Sequence, residues 1–129
     1  MATPFRPDGY PIVSPYLVVQ APQEVIDFLT TVFDAAELQR FAAPDGAVMH
    51  AELRLGDSVV MIGGAGPAWP SAPAHLHVYV ADVDASYRAA LTAGGRSVQA
   101  PEHRNGEPNR RAGVTDPGGN TWWISTLIS

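Results

Sequence analysis

The chain runs twice through the same succession of hydrophobic rhythms. Residues 14–20, "SPYLVVQ", alternate with the period of two expected of a strand. Ala21-Pro22 follows, and then "QEVIDFLTTVFDAAEL", residues 23–38, in which Val25, Phe28, Leu29, Val32 and Phe33 fall on one helical stripe. The second pass opens at residues 75–80, "HLHVYV", again a strand. It continues through "ADVD" into a helix, "ASYRAALTAGG", that closes on glycines suited to a C-cap. After each helix comes extended sequence and a hairpin: "MHAELRLGDSVVMI" turning at Gly56-Asp57, and "RAGVTDPGGNTWWI" turning at Pro117-Gly118-Gly119. The Gly, Pro and Ala run over residues 63–74 reads as the linker. The pattern predicts one domain over residues 1–129, with a first module near 10–63, a linker over 64–74 and a second module near 75–129.

Strand parity sorts these residues onto two faces. Leu17 and Val19, Ala51, Leu53 and Leu55 with Met49, Val60 and Ile62, and Leu76, Val78 and Val80 form the apolar sets expected to pack under helices. The opposite set contains Tyr16, His50, Glu52, Arg54, Val59, Met61, His75, His77 and Tyr79. In the last hairpin Trp122 and Ile124 take the helix side, so Trp123 and Ser125 take the polar one. Three histidines and a glutamate on polar sheet faces are more than solvent decoration requires.

Composition narrows the chemistry. A net charge of −5 with eight Lys and Arg leaves no concentrated basic surface for nucleic acid. The absence of cysteine excludes disulfides, thiolate ligands and a cysteine nucleophile. The N-terminus has no apolar leader and no stretch has the length of a membrane span, so a cytoplasmic protein with no membrane partner is expected. No phosphate loop, nucleophile elbow or His-Glu-x-x-His helix is present.

Two pairs, His50-x-Glu52 and His75-x-His77, each put two candidate ligands on one strand face, and four such groups would make a metal site only if they converged on one ion. Glu52 beside His50 would serve as a general base without metal, provided that burial raises its pKa toward working pH; the plainer role is an ion pair with His50 or Arg54. Tyr16, Met61, Tyr79 and Trp123 would form an aromatic and apolar wall for a planar or cationic guest, or simply fill the space. The stretch "PEHRNGEPNRRAG", residues 101–113, reads as a lid from which Arg110 or Arg111 would hold an anionic group.

The segments "VSPYLVV", "IDFLTTVFDAAEL", "MHAELRLGDSVVMIG" and "GVTDPGGNTWWIST" together resemble the vicinal oxygen chelate superfamily of glyoxalase I, bleomycin-resistance proteins and extradiol dioxygenases, most nearly its PhnB-like branch. The resemblance implies an α+β fold of two βαβββ modules whose curved mixed sheets surround a bowl-shaped cavity. It implies a homodimer as well. Metal-dependent members draw two ligands from each module, at positions that here hold Ser14, Met61, His75 and Trp123. Three of the four are replaced and only His75 is retained, so no metal cofactor is expected. The resemblance thus implies a cavity that binds or sequesters a small organic molecule, with Tyr16, Arg54, Met61, His75, His77, Tyr79, Arg111 and Trp123 as its lining. The alternative is an isomerase, lyase or dioxygenase using Glu52 with His50, His75 and His77, with or without a displaced divalent metal. A third is a scaffold whose cavity is filled by its own side chains.

Overall fold

The computed structural model describes residues 4–128. The first module holds β1 (Tyr16–Val19), α1 (Pro22–Phe33), β2 (Ala36–Ala42), β3 (Val48–Leu55) and β4 (Ser58–Gly64). The second repeats the order with β5 (His75–Tyr79), α2 (Val83–Thr92), β6 (Arg96–His103), β7 (Asn109–Thr115) and β8 (Thr121–Leu127). Each module forms a four-stranded mixed sheet, in the orders β1-β4-β3-β2 and β5-β8-β7-β6. Its first strand pairs in parallel with its last, and the remaining pairs are antiparallel. The α+β class and the doubled βαβββ order are those expected from the pattern.

Alternation explains the layering. Leu17, Val19, Ala51, Leu53, Val60, Ile62, Val78, Trp122 and Ile124 are buried and belong to one core with both helices. α1 contributes Val25, Ile26, Phe28, Leu29 and Phe33, and the Phe33 ring lies 5.2 Å from that of Trp122 in the other module. α1 also packs on α2. The apolar faces of both sheets therefore turn toward a shared interior, and the polar faces lie outside it. Among the described residues no hydrogen bond joins the His50–Glu52 group to His75, His77 or Trp123.

Local departures have local causes. α1 stops at Phe33, not Leu38, because Asp34 adopts a left-handed conformation (φ 58°) and sends its backbone N–H to the Leu29 carbonyl; β2 begins two residues later. Met49 has helix-side parity yet is 60% exposed, since it precedes the first rung of the β3–β4 ladder, His50 with Gly63. Val59 has polar-face parity yet is fully buried, beside Pro11, Val13 and Pro15 of the N-terminal segment in a cleft of about 440 Å³. Residues 101–113 are mostly strand: β6 runs to His103 and β7 starts at Asn109, so the expected lid shrinks to a short hairpin turn.

The turn before β8 is held by a buried carboxylate. Asp116 Oδ1 accepts from the backbone N–H of Gly118 at 2.8 Å and of Asn120 at 3.1 Å. Its Oδ2 accepts from Trp122 Nε1 at 2.9 Å. Gly119 takes φ 89°, which an L side chain rarely adopts. Asn120 Oδ1 in turn accepts from the backbone N–H of Ala74 at 3.0 Å, tying the linker to the second module. Trp122→Ala is expected to lower unfolding free energy by about 3–5 kcal/mol, whereas Trp123→Ala changes it by about 1 kcal/mol or less. Urea unfolding followed by circular dichroism separates the two.

Candidate functional site

The ladder registers align the polar faces of the two modules as matching rows. In the first, Tyr16, Met61, Glu52 and Gln39 stand side by side across β1, β4, β3 and β2. In the second the row is His77, Trp123, Gly113 and Gln99 across β5, β8, β7 and β6. Gln39 and Gln99 occupy equivalent places, neither singled out from sequence. Glu52 is matched by Gly113, and that difference shapes both faces.

On the first face Glu52 is buried and fully engaged. Its Oε1 accepts from the Tyr10 hydroxyl at 2.6 Å and more weakly from Gln39 at 3.5 Å. Its Oε2 lies 2.8 Å from His50 Nε2. An ionised carboxylate only accepts, so the His50 proton sits on Nε2, and Nδ1 accepts from the Tyr16 hydroxyl at 3.1 Å. The Tyr16 ring lies flat across Gly63, where a Cβ would come within 2.6 Å of the phenol oxygen. Tyr10 was not anticipated. It belongs to a segment without periodicity that crosses this face, and Arg54 Nη1 secures the segment by donating to the Gly9 carbonyl. The Tyr10 hydrogen bond holds Glu52 below the usual carboxylate range; burial pushes the other way, and the His50 contact lowers it further. The condition for Glu52 as a general base, a pKa raised by burial, is therefore not met.

On the second face the equivalent of Glu52 is Gly113, and the Trp123 indole occupies the vacated space. A Cβ at Gly113 would lie 2.6 Å from Trp123 Cζ3. Trp123 Nε1 donates to His75 Nδ1 at 3.1 Å. The two ring planes differ by 9° and their centroids are 6.2 Å apart. The two rings are thus near-parallel and joined at their edges by that hydrogen bond. Beside them His77 Nε2 contacts Ser125 Oγ at 2.9 Å, and the Tyr79 ring packs edge-on against His77 at 4.6 Å. Partial burial, and then the Arg111 charge, lower the His77 pKa. His77, Gln99, Arg111 and Trp123 line an open cleft of about 320 Å³.

The adjacent arginines have separate tasks. Arg110 makes a two-pronged ion pair with Asp84 of α2, at 2.8 and 2.9 Å, which removes it as a ligand-holding candidate. Arg111 points to the cleft side. Its Nε is buried without a partner, and its nearest carboxylate, Glu107, is 3.8 Å away.

The four positions that the resemblance marks for metal ligands do not suit a divalent ion here. Ser14 offers a hydroxyl and Met61 a thioether, both weak toward Zn, Mn or Fe(II). Trp123 carries an indole N–H that has no lone pair to give, and it occupies Nδ1 of His75. Among the described residues no three His, Asp or Glu side chains are placed to hold one ion.

Comparison with known proteins agrees with this architecture. A family model described as the Glyoxalase/Bleomycin resistance protein/Dioxygenase superfamily matches residues 11–124. An uncharacterised protein of Mycobacterium bovis is 37% identical over 92% of this chain and 84% of its own length. TioX from Micromonospora sp. ML1 superposes with a TM-score of 0.75 at 25% identity, over 90% of this chain and 99% of that one. The fosfomycin resistance protein FosX from Mesorhizobium loti superposes with a TM-score of 0.66 at 18% identity, over 92% of each chain.

Tyr10→Phe removes the largest influence lowering the Glu52 pKa, so that pKa is expected to rise in a carboxyl-resolved NMR titration. The stability Glu52 contributes is complete above the ordinary carboxylate pKa and is lost as pH falls through its depressed native value. The variant is thus expected to be less stable at neutral pH and to show a shallower decline on acidification. An unchanged Glu52 titration would refute this account.

Proposed function

The chain belongs to the glyoxalase/bleomycin resistance protein/dioxygenase superfamily, and from that premise we propose that it binds a small organic molecule on the polar face of its second module without the metal of its catalytic relatives. The observation that carries this reading is the contrast between the two faces. The first is closed by the chain's own N-terminal segment, with Glu52 satisfied on both oxygens. The second is an open cleft with a flat aromatic floor and an arginine whose Nε has no partner. A site evolved to hold a guest keeps unspent polar groups beside an apolar surface, and this face has both.

The enzymatic alternative would require Glu52 and His50 to act with His75 and His77, and the pairs belong to different sheets. Within one chain Glu52 orients His50 and anchors Tyr10. A place in the PhnB-like branch and a cytoplasmic location are further parts of this proposal. A homodimer is part of the proposal: setting the second face of one copy against the first face of another would cover Tyr16, Phe41 and Tyr79, which are 47%, 54% and 66% exposed in the single chain, and would close the bowl that one chain leaves open.

Two measurements test this. Elemental analysis of protein incubated with Zn, Ni, Mn and Fe is expected to find no stoichiometric metal; one equivalent that is lost in the doubly substituted His75→Ala, His77→Ala variant would overturn the metal-free reading. Titration with candidate organic ligands is expected to quench tryptophan fluorescence in the parent and not in Trp123→Phe, with no turnover of the ligand.

A further inference from the structure

We infer that the cleft on the second sheet takes a planar aromatic anion, a carboxylate in the first instance, with its ring on the Trp123 indole and its charge at Arg111. This rests on the pocket reading above and specifies its ligand class.

Three features of the cleft point there. The first is the shape of the floor. The hydrogen bond from Trp123 Nε1 to His75 Nδ1 holds the indole, itself two fused rings, in a fixed orientation in the cleft wall. One side of the indole rests on the backbone of Gly113, and the other is left for a guest. A surface wider than a single ring is matched by an extended conjugated ligand, and offset stacking on it adds to the gain from burial.

The second is the unspent charge. Among the described residues, two buried side-chain polar atoms lack a partner, Arg111 Nε and Asn109 Oδ1, and both belong to alternate residues of β7 on this face. That Nε is itself enclosed, so a ligand oxygen would meet the part-exposed terminal nitrogens of the same guanidinium, a charge the protein leaves short of acceptors. Glu107 does not supply it, since its carboxylate stands 3.8 Å from the Arg111 terminal nitrogen, beyond hydrogen-bond distance. A planar carboxylate fits the guanidinium fork in two-pronged fashion, which a hydroxyl or amide does not.

The third is the sign of the surroundings. An exposed indole face by itself favours a cation, but Arg111 beside the floor opposes one. No acidic side chain lines the cleft. Gln99 has its amide N–H committed to the Arg111 carbonyl, and His77 is drawn toward its neutral form. Arg111 is therefore the charge that a ligand meets, in a protein whose net charge is −5.

The test uses three probes of one shape: 2-naphthoate, 2-naphthalenemethanol and 2-naphthylmethylammonium, titrated calorimetrically into the full-length protein. Naphthoate is expected to bind about 10- to 100-fold more tightly than the alcohol, and the ammonium most weakly. Arg111→Gln should level naphthoate to the alcohol while leaving alcohol binding in place, which also shows that the variant is folded. Glu107→Gln should tighten naphthoate by about two- to tenfold by removing the nearby negative charge. Trp123→Ala should abolish all three. Equal binding of the three probes, or preference for the ammonium, would overturn the ligand class and leave the pocket standing. Failure of every probe would remove the pocket reading together with this inference.

Discussion

The carboxylate of Asp116 holds the molecule in register. It gathers two backbone N–H groups of the turn and the indole N–H of Trp122 on one buried anion. Charge-assisted bonds of this kind are among the stronger ones available to a protein, and here they decide which of two adjacent tryptophans goes inside. With Trp122 fixed inward against Phe33 of the other module, the pleat of β8 sends Trp123 outward. The core and the candidate site are thus both oriented by one buried side chain that does not line the cleft.

From that frame the two modules diverge through a single row of the sheet. Where the first places Glu52, the second places Gly113, and the consequences spread to every neighbour. A carboxylate in that row recruits His50, Tyr16 and Tyr10 and is then covered. A glycine there leaves room for an indole to lie against the backbone and for His75 to accept its N–H. Aromatic rings resting on glycines recur in both modules, Tyr16 on Gly63 and Trp123 on Gly113, so close approach of ring to backbone is a shared device put to different ends.

Much of this was legible in the sequence. The doubled element order and the burial of Leu17, Val19, Leu53, Ile62, Trp122 and Ile124 follow from alternation, because parity is local. Parity also separates Arg110 from Arg111: adjacent strand residues face opposite ways, and only Arg111 shares a face with Trp123. What escaped depends on cover, which is not local. Val59 is buried by a segment more than forty residues earlier in the chain, and Glu52 owes its depressed pKa to Tyr10 of that same segment, whose sequence has no period to announce a contact. The lid reading of residues 101–113 failed because turn-rich composition was taken for irregularity, whereas strands β6 and β7 run through most of it. The end of α1 escaped because Asp34 takes a conformation more usual for glycine.

The hydrogen bond from Ala74 to Asn120 reaches beyond the linker it fastens. A duplicated fold invites the expectation of two halves that come apart separately. Here the last residue before β5 is tied into the turn that carries Asp116, and Phe33 of α1 rests on the tryptophan that Asp116 orients. Opening the turn therefore withdraws part of the floor beneath α1 as well as the anchor of the linker. The two repeats thus share an anchor, and they are expected to unfold in one transition that disturbs the cleft as well.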